Sequence, residues 1–296
     1  MESRILGAID VGSNSIRLMV ARVADQAVEV LVTHRITTRM ILGLEGGRLT
    51  EEALAENARA VAQLAGEARE RGAEEVFAFG TSAMRDAENR GELIDRAKRL
   101  GGVQIEVLSG EQEAQLAYGG CAPEGRCGVI DIGGGSCEIL CGREGRAEYA
   151  GSAQMGAVRL MKRMEGDDTD PQRLIDEARR VLAPVAAPAR RQASERWVGV
   201  GGTITTLAAM TWGVSKYAPE AIENCPLTRQ GARQWLDLLT GMDLEARRQI
   251  RGLPAHRADV IAFGAAILCA AMEETGAQTV YATDHDNLEG YLRQRG

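Results

Sequence analysis

The feature that most constrains this chain is a strand–turn–strand pattern that occurs twice. The first copy occupies residues 5–21 and the second occupies residues 128–140. In each copy a short apolar run ends in Asp-x-Gly, a turn rich in glycine and serine follows, and a second apolar run returns. Asp10 and Asp131 mark the same point of the two copies and lie 121 residues apart. Because that interval is the size of a domain, the repeat predicts two similar lobes that each open with a hairpin.

The rest of the chain alternates strand patterns with helix patterns, which is typical of an α/β architecture. Its 296 residues also exceed what one hydrophobic core usually organises. The sequence therefore predicts a first domain of residues 1–122 and a second of residues 123–296, with the last helix able to pack back on the first. The predicted elements outside the repeat are strand 26–31, helix 51–71 after the cap Thr50, strand 75–79, a helix starting within 80–85, helix 90–100, strand 103–108, helix 171–194, strand 197–200, a helix starting at 201–203, helix 257–275, strand 279–282 and a short final helix after the loop 284–287.

Composition and charge exclude several classes of protein. The formal net charge of −7 and an aromatic content of 4% disfavour general nucleic-acid binding, which depends on a basic surface and on stacking. No apolar run is long enough to span a membrane, and the opening strand pattern leaves no room for a signal peptide, so the cytoplasm is the predicted location. The six cysteines form no Cys-x-x-Cys pair, which favours small buried hydrophobes over a zinc site or a disulfide framework.

Both copies of the repeat carry groups suited to a phosphate and a metal ion. Asp10 and Asp131 each end a strand, where a carboxylate can hold magnesium, an ion that keeps most of its waters. The turns offer backbone amides and hydroxyls that can donate to phosphate oxygens. A single copy is equally well explained as an ordinary hairpin with a solvated aspartate, whereas two copies at matching offsets favour a site. The turn residues are Gly12, Ser13, Asn14 and Ser15 in the first copy and Gly133, Gly134, Gly135 and Ser136 in the second.

Six blocks of the sequence together resemble the signature blocks of the exopolyphosphatase / guanosine pentaphosphate phosphohydrolase family, in its short two-domain form. They follow the family's order over nearly the whole chain, and the sequence has neither a Walker A loop nor a Gly-x-Gly-x-x-Gly after a strand. The resemblance implies a duplicated ribonuclease-H-like fold of the actin-like ATPase superfamily, with a cleft between the lobes. The blocks are residues 8–15, 80–87, 108–114, 129–136, 201–203 and 257–261.

The resemblance also implies roles for individual residues. Glu113 matches the family's general base, which activates the attacking water. Asp131 and Glu138 match the positions around the metal ion and the water, and a hairpin can bring the two together; Asp10 is the lesser candidate for the metal. Arg85 matches the phosphate-binding arginine, whose planar fork of donors suits phosphate.

Three further assignments are weaker. Thr203, at a predicted helix start, either contacts a phosphate or caps its own helix. Arg35 and Arg39 lie where family members also carry basic residues, and either one can line the path of the anion. His285 is expected to be a solvated loop residue.

Two positions depart from the family pattern. Gln112 replaces the first of two adjacent glutamates, which suggests an altered tuning of the pKa of the base. Leu288 replaces an arginine in the final block, which puts the substrate range or the efficiency of turnover in doubt.

The expected activity is release of terminal phosphate from inorganic polyphosphate by magnesium-assisted attack of water. The alternative substrate is guanosine pentaphosphate. Two rival functions are an actin-like ATPase or sugar kinase, against which the 80–87 and 108–114 blocks speak, and a sensor that binds polyphosphate or alarmone nucleotides without cleaving them. Homodimerisation is implied by the resemblance alone.

Overall fold

The fold is described from a computed structural model of the chain. It covers residues 3–25, 27–121, 125–192, 194, 196–214 and 218–296. The chain divides into two compact units, of which the first is Met1–Gly120 together with Asn287–Gly296 and the second is Cys121–Asp286. The first unit thus ends two residues before the predicted boundary and also takes in the last ten residues.

The first unit is built on a five-stranded sheet in the order β3-β2-β1-β6-β7. β1, β2 and β3 pair antiparallel, whereas β6 and β7 continue the sheet in parallel from β1. β4 and β5 form a separate two-stranded ribbon. The elements are β1 (Arg4–Val11), β2 (Ser15–Ala24), β3 (Ala27–Thr37), β4 (Leu44–Glu45), β5 (Arg48–Leu49), α1 (Glu51–Glu70), β6 (Glu75–Gly80), α2 (Ser82–Asp86), α3 (Arg90–Gly101), β7 (Ile105–Val107) and α4 (Gly110–Cys121), with α12 (Asn287–Arg293) from the end of the chain.

The second unit repeats this order in β10-β9-β8-β11-β13 and adds β12 at one edge. Its first three strands again pair antiparallel and the next two again continue in parallel. This correspondence confirms the predicted duplicated ribonuclease-H-like α/β fold. The elements are β8 (Arg126–Ile132), β9 (Cys137–Arg143), β10 (Arg146–Ala153), α5 (Ala157–Arg163), α6 (Pro171–Arg190), β11 (Arg196–Val200), α7 (Gly202–Thr211), α8 (Pro219–Ile222), β12 (Pro226–Thr228), α9 (Arg229–Thr240), α10 (Leu244–Arg247), α11 (Ile261–Thr275) and β13 (Thr279–Ala282).

Most predicted elements lie where the patterns place them. Thr50 caps α1 by accepting a hydrogen bond from Ala53 N, as its position before two glutamates predicts. The predicted strand 26–31 extends to Thr37, and Gln26 lies outside the described residues. The predicted helix 257–275 begins only at Ile261, because residues 255–260 form tight i→i+3 turns instead.

In each unit one helix contributes apolar side chains to a hydrophobic cluster. In the second unit α11 is buried over almost its whole circumference, which fits its nearly uninterrupted apolar sequence. In the first unit α12 supplies Leu288, Tyr291 and Leu292 to a core with strand residues such as Leu6 and Met19. The first sheet therefore buries one of its faces only with the help of the end of the chain.

All six cysteines are free thiols, and five of them are buried. No helix among the described residues is long and apolar enough to cross a membrane. These residues also contain no cluster of three or more His, Cys, Asp or Glu side chains that could hold a metal ion.

Truncating the α12 contact should destabilise the first unit. We expect Leu292→Ala to lower its free energy of unfolding by about 2–5 kcal/mol, because Leu292 is fully buried and the substitution leaves a cavity. Urea denaturation followed by a probe in the first unit measures the loss. Gln294→Ala, on the exposed side of the same segment, is the matched control, and an equal effect of the two substitutions would contradict the packing described here.

Candidate functional site

The first Asp-x-Gly turn is tightly closed and connected to the following helices. Gly12 N donates to Ser15 O at 3.2 Å, and a Cβ on Gly12 would lie 2.8 Å from that oxygen, so only glycine fits. Ser13 Oγ accepts a hydrogen bond from Ala83 N at 3.1 Å. Arg39 N donates to Asn14 O at 2.8 Å. The turn is thereby held against α2, the helix that carries Arg85.

Arg85 and Glu113 form an ion pair in the first unit. Glu113 is only 7% exposed, and Arg85 Nη1 also donates to Leu108 O at 3.2 Å. Burial raises the pKa of the Glu113 carboxyl above its ordinary value; the positive charge of Arg85 opposes this shift and the negative charge of Asp10 adds to it. A carboxylate with a raised pKa is a stronger proton acceptor, which is the property that a general base needs.

Gln112 has a structural role at the start of the same helix. Its Oε1 accepts from Ser109 N at 2.8 Å, and Ser109 Oγ accepts from Gln112 N at 3.1 Å. This reciprocal pair is a capping box, a motif that glutamine and glutamate serve equally well. The causes of the shifted pKa of Glu113 are burial, Arg85, Asp10 and Arg17. Gln112 therefore fixes where α4 begins, and with it the position of the next residue, Glu113.

Asp10 lies opposite an arginine across the first hairpin. β1 and β2 pair Asp10 with Arg17, whose Nη2 donates to Asp10 Oδ2 at 2.6 Å and to Asn287 Oδ1 at 2.9 Å. Along its other edge β2 pairs with β3, and there Arg17 lies opposite Arg35. The Arg17 guanidinium thus offsets the charge of the buried Asp10 carboxylate through Oδ2, and the assignment of Asp10 to the metal ion stays a prediction.

Asp131 lies opposite a glutamate at the same place in the second unit. β8 and β9 pair Asp131 with Glu138, and β9 and β10 pair Glu138 with Ser152. Residues directly opposite in antiparallel strands project from the same face, so the two carboxylates are neighbours. Glu138 is 3% exposed and accepts from Ser152 Oγ at 2.7 Å. Two oxygen ligands side by side fit magnesium, which uses few protein ligands and retains water.

The second turn and the start of α7 surround Asp131 with glycine. A Cβ on Gly201 would lie 2.7 Å from Asp131 Oδ1, and one on Gly202 would lie 2.1 Å from Arg257 Nη2. Gly133 N donates to Ser136 O at 3.0 Å, which closes this turn as Gly12 closes the first. The remaining turn contacts face α5: the carbonyls of Gly133 and Gly134 accept from its backbone amides, and the carbonyl of Gly135 accepts from Arg159 Nε at 2.6 Å.

The other predicted residues have varied surroundings. Thr203 is buried near the start of α7 against Gly264, and the N-cap of that helix is Gly201. His285 is exposed, and its carbonyl accepts from Cys121 Sγ at 3.5 Å. Leu288 is buried in the hydrophobic cluster of the first unit. At the position where the family pattern has an arginine, this chain therefore has an apolar side chain that packs in the core.

Three residues of these surroundings were missed from the sequence: Arg17, Ser152 and Arg257. A signal for Arg17 was present, because it follows Asp10 by the seven residues that separate Glu138 from Asp131. Arg257 opens the 257–261 block that resembles the family, but its place beside Gly202 depends on packing. Ser152 is brought in by strand pairing, for which the local pattern has no signal.

Removing the capping box should loosen the start of α4. We expect Gln112→Ala to speed amide hydrogen exchange at Ser109 roughly fivefold, corresponding to a loss of about 1 kcal/mol. Gln112→Glu keeps the acceptor and should exchange as the wild type does. Equal rates in all three proteins would show that the cap contributes nothing.

The burial of Glu113 should make stability depend on pH in a defined direction. Because its pKa is raised on folding from 4.5, its favourable contribution is complete below that pH and is lost as the pH rises through the folded-state value. Gln imitates the protonated carboxyl, so Glu113→Gln should gain stability relative to wild type between pH 4 and 8. Denaturant titrations across that range measure the difference, and a difference that falls with pH would contradict a raised pKa.

Comparisons with known proteins find relatives over nearly the whole chain. A model of the Ppx/GppA phosphatase family matches residues 19–292. Exopolyphosphatase 2 of Mycobacterium tuberculosis is 33% identical, over 96% of this chain and 96% of that protein. The guanosine-5'-triphosphate,3'-diphosphate pyrophosphatase of Vibrio cholerae is 30% identical over 95% of this chain and 57% of its own length.

A solved structure extends the similarity to the fold. The crystal structure of the Aquifex aeolicus member of the Ppx/GppA protein family superposes with a TM-score of 0.83 at 30% identity, covering 99% of this chain and 98% of that one. The chain therefore belongs to the Ppx/GppA phosphatase family and has its duplicated, actin-like fold.

Proposed function

We propose that this protein is an exopolyphosphatase that releases terminal phosphate from inorganic polyphosphate. One observation carries the proposal: the two matching hairpins have opposite charges seven residues after their aspartates, Arg17 in the first and Glu138 in the second. In the first hairpin Arg17 offsets the charge of Asp10, so this hairpin adds no net negative charge beside a polyanion, whereas the acidic pair of the second is suited to a cation. Membership of the family and the Mycobacterium tuberculosis exopolyphosphatase support the same substrate class.

The first unit supplies the base and the anion-binding groups. Glu113 accepts the proton of the attacking water, a role for which its buried carboxylate is suited. Arg85 binds a phosphate oxygen together with hydroxyls of the first turn, Ser13 and Ser15. Because Arg85 is paired with Glu113 before substrate arrives, the phosphate must compete with Glu113 for the guanidinium. Binding therefore weakens the contact that restrains the base.

The second unit supplies the acidic pair. Asp131 and Glu138 are the residues that would hold Mg²⁺, which when bound offsets the charge that develops on the transferred phosphoryl group. Gly201 leaves room beside Asp131 that a Cβ would fill. Asp10 is assigned to holding Arg17 rather than to the metal.

A second substrate is favoured by one comparison. The Vibrio cholerae relative is named for guanosine-5'-triphosphate,3'-diphosphate, so guanosine pentaphosphate is the alternative substrate of the same site. A sensor that binds without cleaving is disfavoured because Glu113, the proposed base, is present and buried. The six free thiols fit the cytoplasm, a reducing compartment, as the location.

Phosphate release from long-chain polyphosphate with Mg²⁺ tests the proposal. We expect Glu113→Gln to lower kcat by about 10²–10⁴-fold, because the amide cannot accept the proton of the attacking water. The same substitution should leave polyphosphate binding unchanged or tighter, since Arg85 loses its competing partner. Glu111→Gln, on the exposed first turn of the same helix, is the matched control.

Guanosine pentaphosphate and ATP are assayed in parallel. Faster turnover of guanosine pentaphosphate would make it the preferred substrate. Binding of polyphosphate without release from any of the three substrates would overturn the enzymatic proposal in favour of a sensor.

A further inference from the structure

We infer that Ser152 is a positioning residue for the cation site, acting through Glu138. The inference rests on the proposed function, in which Asp131 and Glu138 hold the metal ion. Its basis is the hydrogen bond from Ser152 Oγ to Glu138 Oε1, 2.7 Å long, in a row of three residues on adjacent strands. No part of the sequence pattern singles Ser152 out.

The strand register makes this contact a fixed part of the sheet. Glu138 is paired with Asp131 on one side and with Ser152 on the other. In both pairs the side chains project from the same face and lie within reach of each other. The hydroxyl is therefore presented by a strand, and its position is set by the backbone ladder rather than by a loop.

The hydrogen bond restricts a side chain that otherwise has several rotamers. Ser152 engages Oε1 of Glu138 and so restricts the plane in which the carboxylate lies. Partners of this kind behind a metal ligand orient it before the metal arrives, so binding does not have to order it.

The matching row in the first unit has a different chemistry. Its three members are Asp10, Arg17 and Arg35, so an arginine occupies the place of Ser152. There the middle residue is oriented by its ion pair with Asp10. In the second unit the middle residue, Glu138, is an anion next to another anion, Asp131. Ser152 is a neutral hydrogen-bond donor on the other side of Glu138, so it orients the carboxylate and leaves its charge in place.

Ser152 can be changed without threatening the fold. It is exposed, and β10 lies at the edge of its sheet. Ser152→Ala removes only the hydroxyl, whereas Ser152→Thr restores it on a residue that strands accept readily. Gln154→Ala, at a nearby exposed position, is the control for a change of surface.

The experiment is a titration of each full-length protein with Mn²⁺, used as a spectroscopic substitute for Mg²⁺ and followed by electron paramagnetic resonance without substrate. We expect Ser152→Ala to weaken Mn²⁺ binding roughly tenfold, which is the lower end of the loss in affinity when a hydrogen-bond partner of a metal ligand is removed. Ser152→Thr and Gln154→Ala should bind Mn²⁺ as the wild type does. In a Glu138→Ala background, Ser152→Ala should have no further effect, because the carboxylate through which it acts has been removed. Thermal unfolding without metal should be the same for Ser152→Ala and wild type.

The outcomes separate this inference from the function on which it rests. Wild-type affinity in Ser152→Ala, or an equal loss with and without Glu138, would overturn the positioning role and leave the proposed function standing. A wild-type protein that binds no Mn²⁺ and hydrolyses polyphosphate without a divalent cation would instead remove the metal from the proposed function, and the inference with it.

Discussion

The antiparallel register of the two opening hairpins is the constraint on which the chemistry of both units depends. Each hairpin closes through a glycine whose amide donates to the residue three positions on, and this closure places the residue seven positions after the aspartate directly opposite it. A shift of one residue would send every side chain of the returning strand to the other face. Because the turn is tight, the residue facing each aspartate sets its electrostatic surroundings. Arg17 offsets the charge of Asp10, whereas Glu138 adds a second carboxylate beside Asp131.

The same backbone arrangement has therefore been used for two electrostatic purposes. With Arg17 opposite, Asp10 becomes an anchor for a cationic side chain in a buried setting. With Glu138 opposite, Asp131 becomes half of an acidic pair whose mutual repulsion favours a bound cation. A duplicated fold commonly keeps its backbone while its sites diverge, and here the divergence can be traced to particular facing positions on paired strands.

Much of the fold could be predicted from the sequence, because the repeat, the apolar periodicity and the turn residues are all local signals. They indicated both hairpins, the α/β alternation and the start of α1 at Thr50. The capping role of Gln112 could not be separated from an effect on Glu113 until the first residue of α4 was known. β10 and its residue Ser152 were not predicted, because the strand has only a weak alternation of apolar and polar residues. The pairing of Arg85 with Glu113 depends on how α2 and α4 pack, and no spacing of 28 residues encodes that contact.

The position of α12 affects the order in which the molecule can be completed. Its residues follow the whole second unit in the chain, yet they fill the core of the first. During synthesis from the N-terminus, the first sheet is made early but lacks the α12 side chains of its core while the next 166 residues emerge. The second unit, in contrast, is continuous and has its full core before α12 has been made. Nascent chains would thus complete the core of the second unit first, and the core of the first unit, whose α4 carries Glu113, only after α12 has been made.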